Sequence, residues 1–372
     1  MKLKFFSLLA VMLAAAIICG CGSTTAQKVD AETPPPKDPV EEILQSMTLA
    51  EKVGQMMITG VHGNAVNDDS RFMFTNYHIG GLIFFDRNLE TRAQAKSFAE
   101  NLDAVAAEKV PLFFAIDEEG GRVARMRHEI TPPPSQEEIG SSGDSSQAYR
   151  TATSIAQDLK SIGVNLNFAP VADVGTRDTR SFSDNAEVVA EFADAAAKGY
   201  EDAGIFYCLK HFPGLGLGKV DTHQDISVVD ASRETLETID FVPFRKIIAA
   251  HDNSKFMVMV GHLKYSALDA ENPASISPAI VTGILRNELG FTGVIVTDDL
   301  DMGAVSKYND QKTLGVAAVK AGVDIVLSCH DYDKQQKIYL GILEAVERGE
   351  ISEARIDESV RRILKMKLNL RN

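Results

Sequence analysis

Four groups of ionisable residues stand directly after apolar runs: Asp117-Glu118-Glu119, Lys210-His211, His262 and Asp298-Asp299. Carboxylates, imidazoles and ammonium groups are what proteins use to attack carbon, move protons and grip polar substrates, and such groups are costly as packing. A fifth group, Asp221-Thr222-His223, follows the glycine-rich stretch Gly214-Leu215-Gly216-Leu217-Gly218. There Asp221 is placed to accept an imidazole N–H, orient the ring and raise its pKa, so that His223 donates a proton near neutral pH. The glycines give that segment the freedom to carry the dyad over a bound ligand and withdraw. Asp298 suits a nucleophile or a charge stabiliser, and equally an N-cap, a role open also to Asp299 and Asp301. His211, Asp221 and His223 also make a possible metal triad, although the intervening loop lacks the tight helical spacing of common zinc motifs. The loop fails as a phosphate cradle, because Val220 follows Gly218-Lys219 where Ser or Thr is required and Pro213 takes the first glycine position.

Short apolar runs must position these groups. Strands are expected at Met56–Val61, Gly81–Phe85, Leu112–Asp117, Val164–Phe168, Tyr207–Phe212, Phe256–His262, Gly293–Thr297 and Asp324–Cys329. Between them lie helix-like stretches at Thr91–Ala107, Ala148–Ile162, Ala186–Ala203, Arg233–Ala250 and Ser277–Glu288, with an amphipathic closing segment at Ser352–Leu368. Buried parallel strands read as continuous apolar runs joined by crossover helices, so this alternation predicts an α/β fold, a single (β/α)8 TIM barrel. A doubly wound open sheet shares the same periodicity. The barrel accounts better for the ionisable groups, since the C-terminal ends of its strands converge on one mouth. Thr48-Leu49-Ala50-Glu51 predicts a capping box near the start of the domain, and Arg127–Asp144, rich in Pro, Gly and Ser, reads as a surface loop.

The 372 residues carry a formal charge of −14, and 45% are apolar. That is the balance of an ordinary globular protein, and it excludes a nucleic-acid binder, which needs a basic face. Tryptophan is absent, leaving 8 Tyr and 18 Phe, so a sugar site here must rely on charged hydrogen bonds rather than broad stacking platforms. Lys2 and Lys4 followed by apolar Phe5–Ile18 form a secretory signal over residues 1–20. Ile18-Cys19-Gly20-Cys21 resembles a bacterial lipobox, which makes Cys21 the expected lipidation site and the membrane the expected anchor. Residues 21–39, ending in Pro34-Pro35-Pro36-Lys37-Asp38-Pro39, read as a flexible tether, and 40–372 as the folded domain. The two remaining cysteines, Cys208 and Cys329, make neither a disulfide framework nor a zinc site, and each reads as a packed apolar side chain.

Several segments together resemble glycoside hydrolase family 3, in its β-N-acetylhexosaminidase branch. Lys210-His211-Phe212-Pro213-Gly214 with Asp221-Thr222-His223 is similar to the signature of that branch. Val296-Thr297-Asp298-Asp299-Leu300 with Met302-Gly303-Ala304 is similar to the nucleophile segment, and Ala115–Arg125 to the sugar-binding loop. Gly80–Phe85, Phe168–Val174, Arg180-Ser181-Phe182 and Gly261-His262 through Ser275 match in the same order, so the resemblance runs from about Val40 to Lys367. It implies Asp298 as the nucleophile of a covalent glycosyl-enzyme, His223 as the acid/base oriented by Asp221, and Asp117, Arg125, Arg180, Lys210 and His211 as sugar-binding residues. No cofactor or metal is implied. Leu215 and Lys219 depart from the family's loop pattern, in which Gly-His-Gly precedes Asp-Thr.

The expected function is a retaining exo-glycosidase that releases terminal β-linked N-acetylglucosamine from cell-wall fragments or related oligosaccharides, outside the cytoplasm. Relatives of other specificity carry a further C-terminal domain with an acid/base carboxylate; a domain of residues 40–372 fits the histidine-loop branch. The rival within the class is a β-glucosidase or broad exo-glycosidase, with phosphate as an alternative acceptor in the second step. From another class, a solute-binding lipoprotein would share the signal, tether and α/β pattern, but would not need Asp298 together with the Asp221/His223 dyad.

Overall fold

The computed structural model describes residues 38–371 except 108, 128, 130–131, 176–177, 217–226 and 307–309. Cys21 and the signal and tether segments lie outside the described residues, as do Asp221 and His223. Eight short parallel strands form the centre: β1 (Met57–Thr59), β2 (Gly81–Phe84), β3 (Phe113–Ile116), β4 (Leu166–Asn167), β5 (Phe206–Phe212), β6 (Phe256–Val260), β7 (Val294–Thr297) and β8 (Val326–Ser328). Each falls on one of the expected apolar runs. The sheet runs β8-β1-β2-β3-β4-β5-β6-β7. A bridge between Val296 and Ile325, with the Thr297 N–H donating to the Ile325 carbonyl at 3.0 Å, joins β7 back to β8. The ring is thereby closed, and the open-sheet alternative is excluded.

Every residue of these eight strands is buried, as a barrel requires when its interior is filled by side chains and its outside by helices. Crossover helices follow at Asp68–Asn76, Arg92–Ala106, Ser146–Ser161, Ala186–Ala203, Phe241–Ala250, Ala279–Glu288, Gln311–Ala321 and Tyr332–Glu347. The segment Ala279–Glu288 is wound in the wider π form. The capping box at Thr48 is present, its hydroxyl accepting from Glu51 N while the Glu51 carboxylate accepts from Thr48 N.

Two expectations need correction. Arg233–Ala250 is not one helix but two, Arg233–Thr238 and Phe241–Ala250. Pro243 lies in the first turn of the second piece; its ring would strike the Ile239 carbonyl of a continuous helix, and it has no N–H to contribute. Arg127–Asp144 is not all loop, because Gln136–Ser141 is a helix whose N-cap Ser135 forms a capping box with Glu138. Proline and glycine on both sides hid that Ser-x-x-Glu start signal.

The closing helix Glu353–Leu368 seals one end of the barrel. Its Lys367 ammonium donates to Gln55 Oε1 and to the Gly80 carbonyl, each at 2.7 Å, and lies 4.8 Å from the Phe113 ring. Ser359 and Arg362 donate to Asp324 at 2.6 and 2.9 Å. Gln55, Gly80, Phe113 and Asp324 all stand at or just before the N-terminal ends of strands, so the helix plugs that end and leaves the C-terminal end as the mouth.

Candidate active site

A pocket of about 470 Å³ opens at the C-terminal ends of the strands, lined by Asp117, Glu119, Arg125, Arg180, Lys210, His211 and Asp298 among others. All six described residues that the sequence assigns to the site therefore converge there.

One wall comes from β3, β4 and β5, which are neighbours in the barrel. The Lys210 ammonium donates to Asp117 Oδ1 at 2.7 Å and meets Glu119 Oε1 at 2.6 Å. Arg180 reaches Glu119 with two parallel bonds, Nε to Oε2 and Nη2 to Oε1, both 2.8 Å. Arg125 Nη2 donates to the other Asp117 oxygen at a longer 3.4 Å. Lys210 and Glu119 are each only 3% exposed, so the charges are stable only as this network. Burial pushes the Glu119 carboxyl up, but Lys210 and Arg180 outweigh it and hold the group well below the usual carboxylate range. Burial likewise disfavours the charged forms of Lys210 and Arg180, and their carboxylate partners raise both above their ordinary values.

His211 is next to Lys210 in β5, yet both side chains face the mouth. A register shift between Leu209 and Phe212 breaks the strand's alternation at that point. The His211 Nδ1 hydrogen bonds to Asp173 Oδ2 at 2.7 Å, and Nε2 faces Arg180 Nη2 at 3.3 Å. Asp173 Oδ1 accepts from the backbone N–H of His211 and of Leu215, at 3.0 and 2.8 Å. Both ring nitrogens of His211 thus have partners within the site, while Asp221 and His223, the other members of the metal triad raised by the sequence, lie outside the described residues.

Asp298 extends from the end of β7 on the opposite side. Its Oδ1 accepts the Asp299 N–H at 2.8 Å. Burial pushes this carboxyl up, but His211, His262, the Asp299 N–H and Lys210 together outweigh it and hold it below the ordinary aspartate range. A helix cap is a poor description of this residue: its carboxylate faces the pocket, while Asp299 Oδ1 takes the N–H of Asp301 at 3.0 Å. The pocket thus pairs an ionised carboxylate on one side with a directional array of charged donors and acceptors on the other. That combination fits nucleophilic attack on a small, hydroxyl-rich ring.

The family model for the glycosyl hydrolase family 3 N terminal domain matches residues 48–366. The chain belongs to glycosyl hydrolase family 3. Within that family it is 32% identical to a beta-hexosaminidase of Nitrosomonas eutropha over 322 residues, covering 83% of this chain and 90% of the relative. It is 35% identical to beta-hexosaminidase A of Pseudoalteromonas piscicida, covering 80% of this chain. Here the chain spans only 54% of the relative's length. The solved family 3 beta-N-acetylglucosaminidase from Paenibacillus sp. superposes with a TM-score of 0.84 at 39% identity, over 87% of this chain and 62% of that one.

In and behind the family 3 pocket stand residues that the sequence leaves out of the site. Glu119 lies in the strand-end run with Asp117 and ties Lys210 to Arg180. Asp173 fixes His211 from behind; it stands well past the β4 apolar run, so the strand-end signal misses it. His330 lines the pocket directly after β8, where the signal that picked out β3, β5, β6 and β7 would have found it.

Proposed function

We propose that this family 3 chain is a retaining exo-acting β-N-acetylhexosaminidase, removing terminal β-linked N-acetylglucosamine from peptidoglycan fragments or related oligosaccharides. The observation that carries the reading is the ionised Asp298 carboxylate facing the Asp117, Lys210, Glu119 and Arg180 network across a closed-bottomed pocket of about 470 Å³. A pocket of that size holds one terminal sugar. The charged network orients its hydroxyls through charge-assisted hydrogen bonds, without the aromatic platform that a tryptophan-free chain lacks. The names of the relatives point to the same sugar.

In this mechanism the free Asp298 oxygen attacks the anomeric carbon as the bond to the leaving oxygen breaks. His223 gives its proton to that oxygen, with Asp221 holding the ring, and the product is a glycosyl ester on Asp298. Water then attacks the anomeric carbon from the opposite side, His223 takes its proton, and the Asp298 carboxylate is released. Two inversions give net retention. Leu215 lines the pocket at the threshold of the segment that carries this dyad. The signal and lipobox motifs support export and lipid attachment at Cys21, and so an enzyme held at the cell envelope.

The test is hydrolysis of a chromogenic β-N-acetylglucosaminide beside the matching β-glucoside, with proton NMR of the first-formed anomer. The reading predicts preference for the N-acetylated substrate, initial β-anomer, and loss of roughly a thousandfold or more in Asp298→Asn and of a large share in His223→Ala. Preference for the glucoside would move the enzyme to a β-glucosidase specificity, an initial α-anomer would overturn retention, and binding without turnover of either glycoside would favour a solute-binding protein. Lipidation is tested by partition into detergent, which Cys21→Ala should abolish.

A further inference from the structure

His330 has a charged or ionisable neighbour at each ring nitrogen, and these neighbours determine what each nitrogen must do. Arg87 Nη1, which can only donate, lies 3.3 Å from His330 Nδ1, so Nδ1 accepts. Arg87 is itself held by the Val61 carbonyl at 3.0 Å and the Cys329 carbonyl at 2.7 Å. The proton on the ring therefore sits on Nε2, which lies 3.4 Å from Asp299 Oδ2, at ion-pair distance. The other Asp299 oxygen, Oδ1, is engaged by the N–H of Asp301 and of Cys329, at 3.0 and 3.1 Å. The Asp299 backbone N–H then donates to Asp298 Oδ1 at 2.8 Å. The His330 ring is 51% exposed and packs on Phe85 with ring centres 4.9 Å apart, so neither burial nor core packing accounts for this arrangement.

We infer that His330 is a positioning residue: through Asp299 it fixes the peptide N–H that occupies one oxygen of Asp298, leaving the other oxygen aimed at the anomeric carbon. The inference rests on Asp298 being the nucleophile. A carboxylate free to rotate would spend much of its time with neither oxygen in line for attack, and angular errors of this kind are expensive in rate while leaving ground-state binding intact. His330→Phe keeps the ring on Phe85 and removes both the hydrogen bond to Arg87 and the contact with Asp299. His330→Gln supplies an acceptor for Arg87 and a donor for Asp299 in the same order.

The experiment uses a dinitrophenyl β-N-acetylglucosaminide, whose leaving group departs without a proton, so that single-turnover kinetics report formation of the glycosyl-enzyme directly. Mass spectrometry of the trapped intermediate identifies its attachment site. The expected result is a wild-type adduct on Asp298, an adduct-forming rate roughly 10- to 100-fold lower in His330→Phe with substrate Kd within about twofold, and recovery of most of that rate in His330→Gln. Wild-type rates in His330→Phe would overturn the inference, as would equal impairment of both variants or a change confined to Kd. Should His330→Phe melt much below the wild type, His330→Gln and His330→Asn, which cannot span both partners, provide the same contrast. A wild-type enzyme with no adduct on Asp298 would instead refute the nucleophile assignment, a failure separate from that of His330.

Discussion

Glu118, between Asp117 and Glu119 in the sequence, is a fully buried carboxyl, and replacing it with glutamine should stabilise the protein in alkaline but not in acidic solution. Its Oε2 accepts the backbone N–H of Arg125 at 2.8 Å, while Oε1 has no hydrogen-bond partner among the described residues. Burial pushes the group up to about 7 from its ordinary 4.5, with the Arg125 N–H and the Arg125 charge opposing only in part. The folded protein therefore holds a proton that the unfolded chain releases. This contribution to stability is complete below pH 4.5 and is lost as pH rises through 7. A shift from 4.5 to about 7 corresponds to about 3 kcal/mol between the two limits. Glu118→Gln preserves an acceptor for Arg125 N and removes the titration. Urea unfolding of both proteins at pH 5 and pH 8 should show the variant gaining on the wild type by up to about 3 kcal/mol on going to the higher pH. Since the Arg125 backbone stays fixed, KM should change little at pH 6. A stability difference that does not vary with pH would refute the reasoning and mean that Glu118 is ionised in the folded state.

Asp240 poses the same problem elsewhere: both its oxygens are buried without hydrogen-bond partners among the described residues, and burial together with the nearby Asp173 pushes it up to about 7. Asp240→Asn should match the wild type near pH 4 and melt higher above pH 7, as read by thermal scans. Glu119→Ala strips Arg180 and Lys210 of the carboxylate they share, and should cost about 3–5 kcal/mol of stability by urea unfolding as well as weakening substrate binding. Gly216→Ala places a Cβ 1.6 Å from the Val174 carbonyl oxygen, and so must displace the chain just ahead of the segment bearing His223. Its kcat should fall by tenfold or more while Asp298 still forms an adduct with the dinitrophenyl substrate.

The barrel was legible because its strands are buried on both faces. Runs such as Phe113–Ile116 and Val294–Thr297 are uniformly apolar, and uniform burial writes itself into a sequence more plainly than any alternation does. Closure was not legible in the same way. It depends on hydrogen bonds between β7 and the residues just before β8, and nothing in either run distinguishes a partner strand from an open edge. The break before Phe241 was readable from Pro243, which is a local steric fact, but the apolar periodicity of Arg233–Ala250 carried straight through it. At Ser135 the reverse held, with a sound start signal obscured by its surroundings.

For the site, sequence order reveals which wall a residue belongs to and charge alone does not reveal its partner. Asp117 and Glu119 follow β3, Asp173 and Arg180 follow β4, and Lys210 and His211 end β5; parallel neighbours bring those three strand ends together once the order of strands is known. Either Arg180 or Lys210 could then neutralise any of the three carboxylates. The choice is settled by reach and geometry: the planar Arg180 fork meets both oxygens of Glu119, while the compact Lys210 ammonium bridges Asp117 and Glu119. Lys210 and His211 share the mouth only through the register shift in β5, a backbone feature that an alternating strand pattern would deny. His330 presents the opposite case. Its position after β8 was as visible as that of Asp298 after β7, but its role depends on Arg87, 243 residues away in sequence, fixing which ring nitrogen carries the proton. On the inference drawn above, the orientation of Asp298 depends on a contact between the segment after β2 and the segment after β8, which the order β8-β1-β2 sets one strand apart in the sheet although they are distant in sequence.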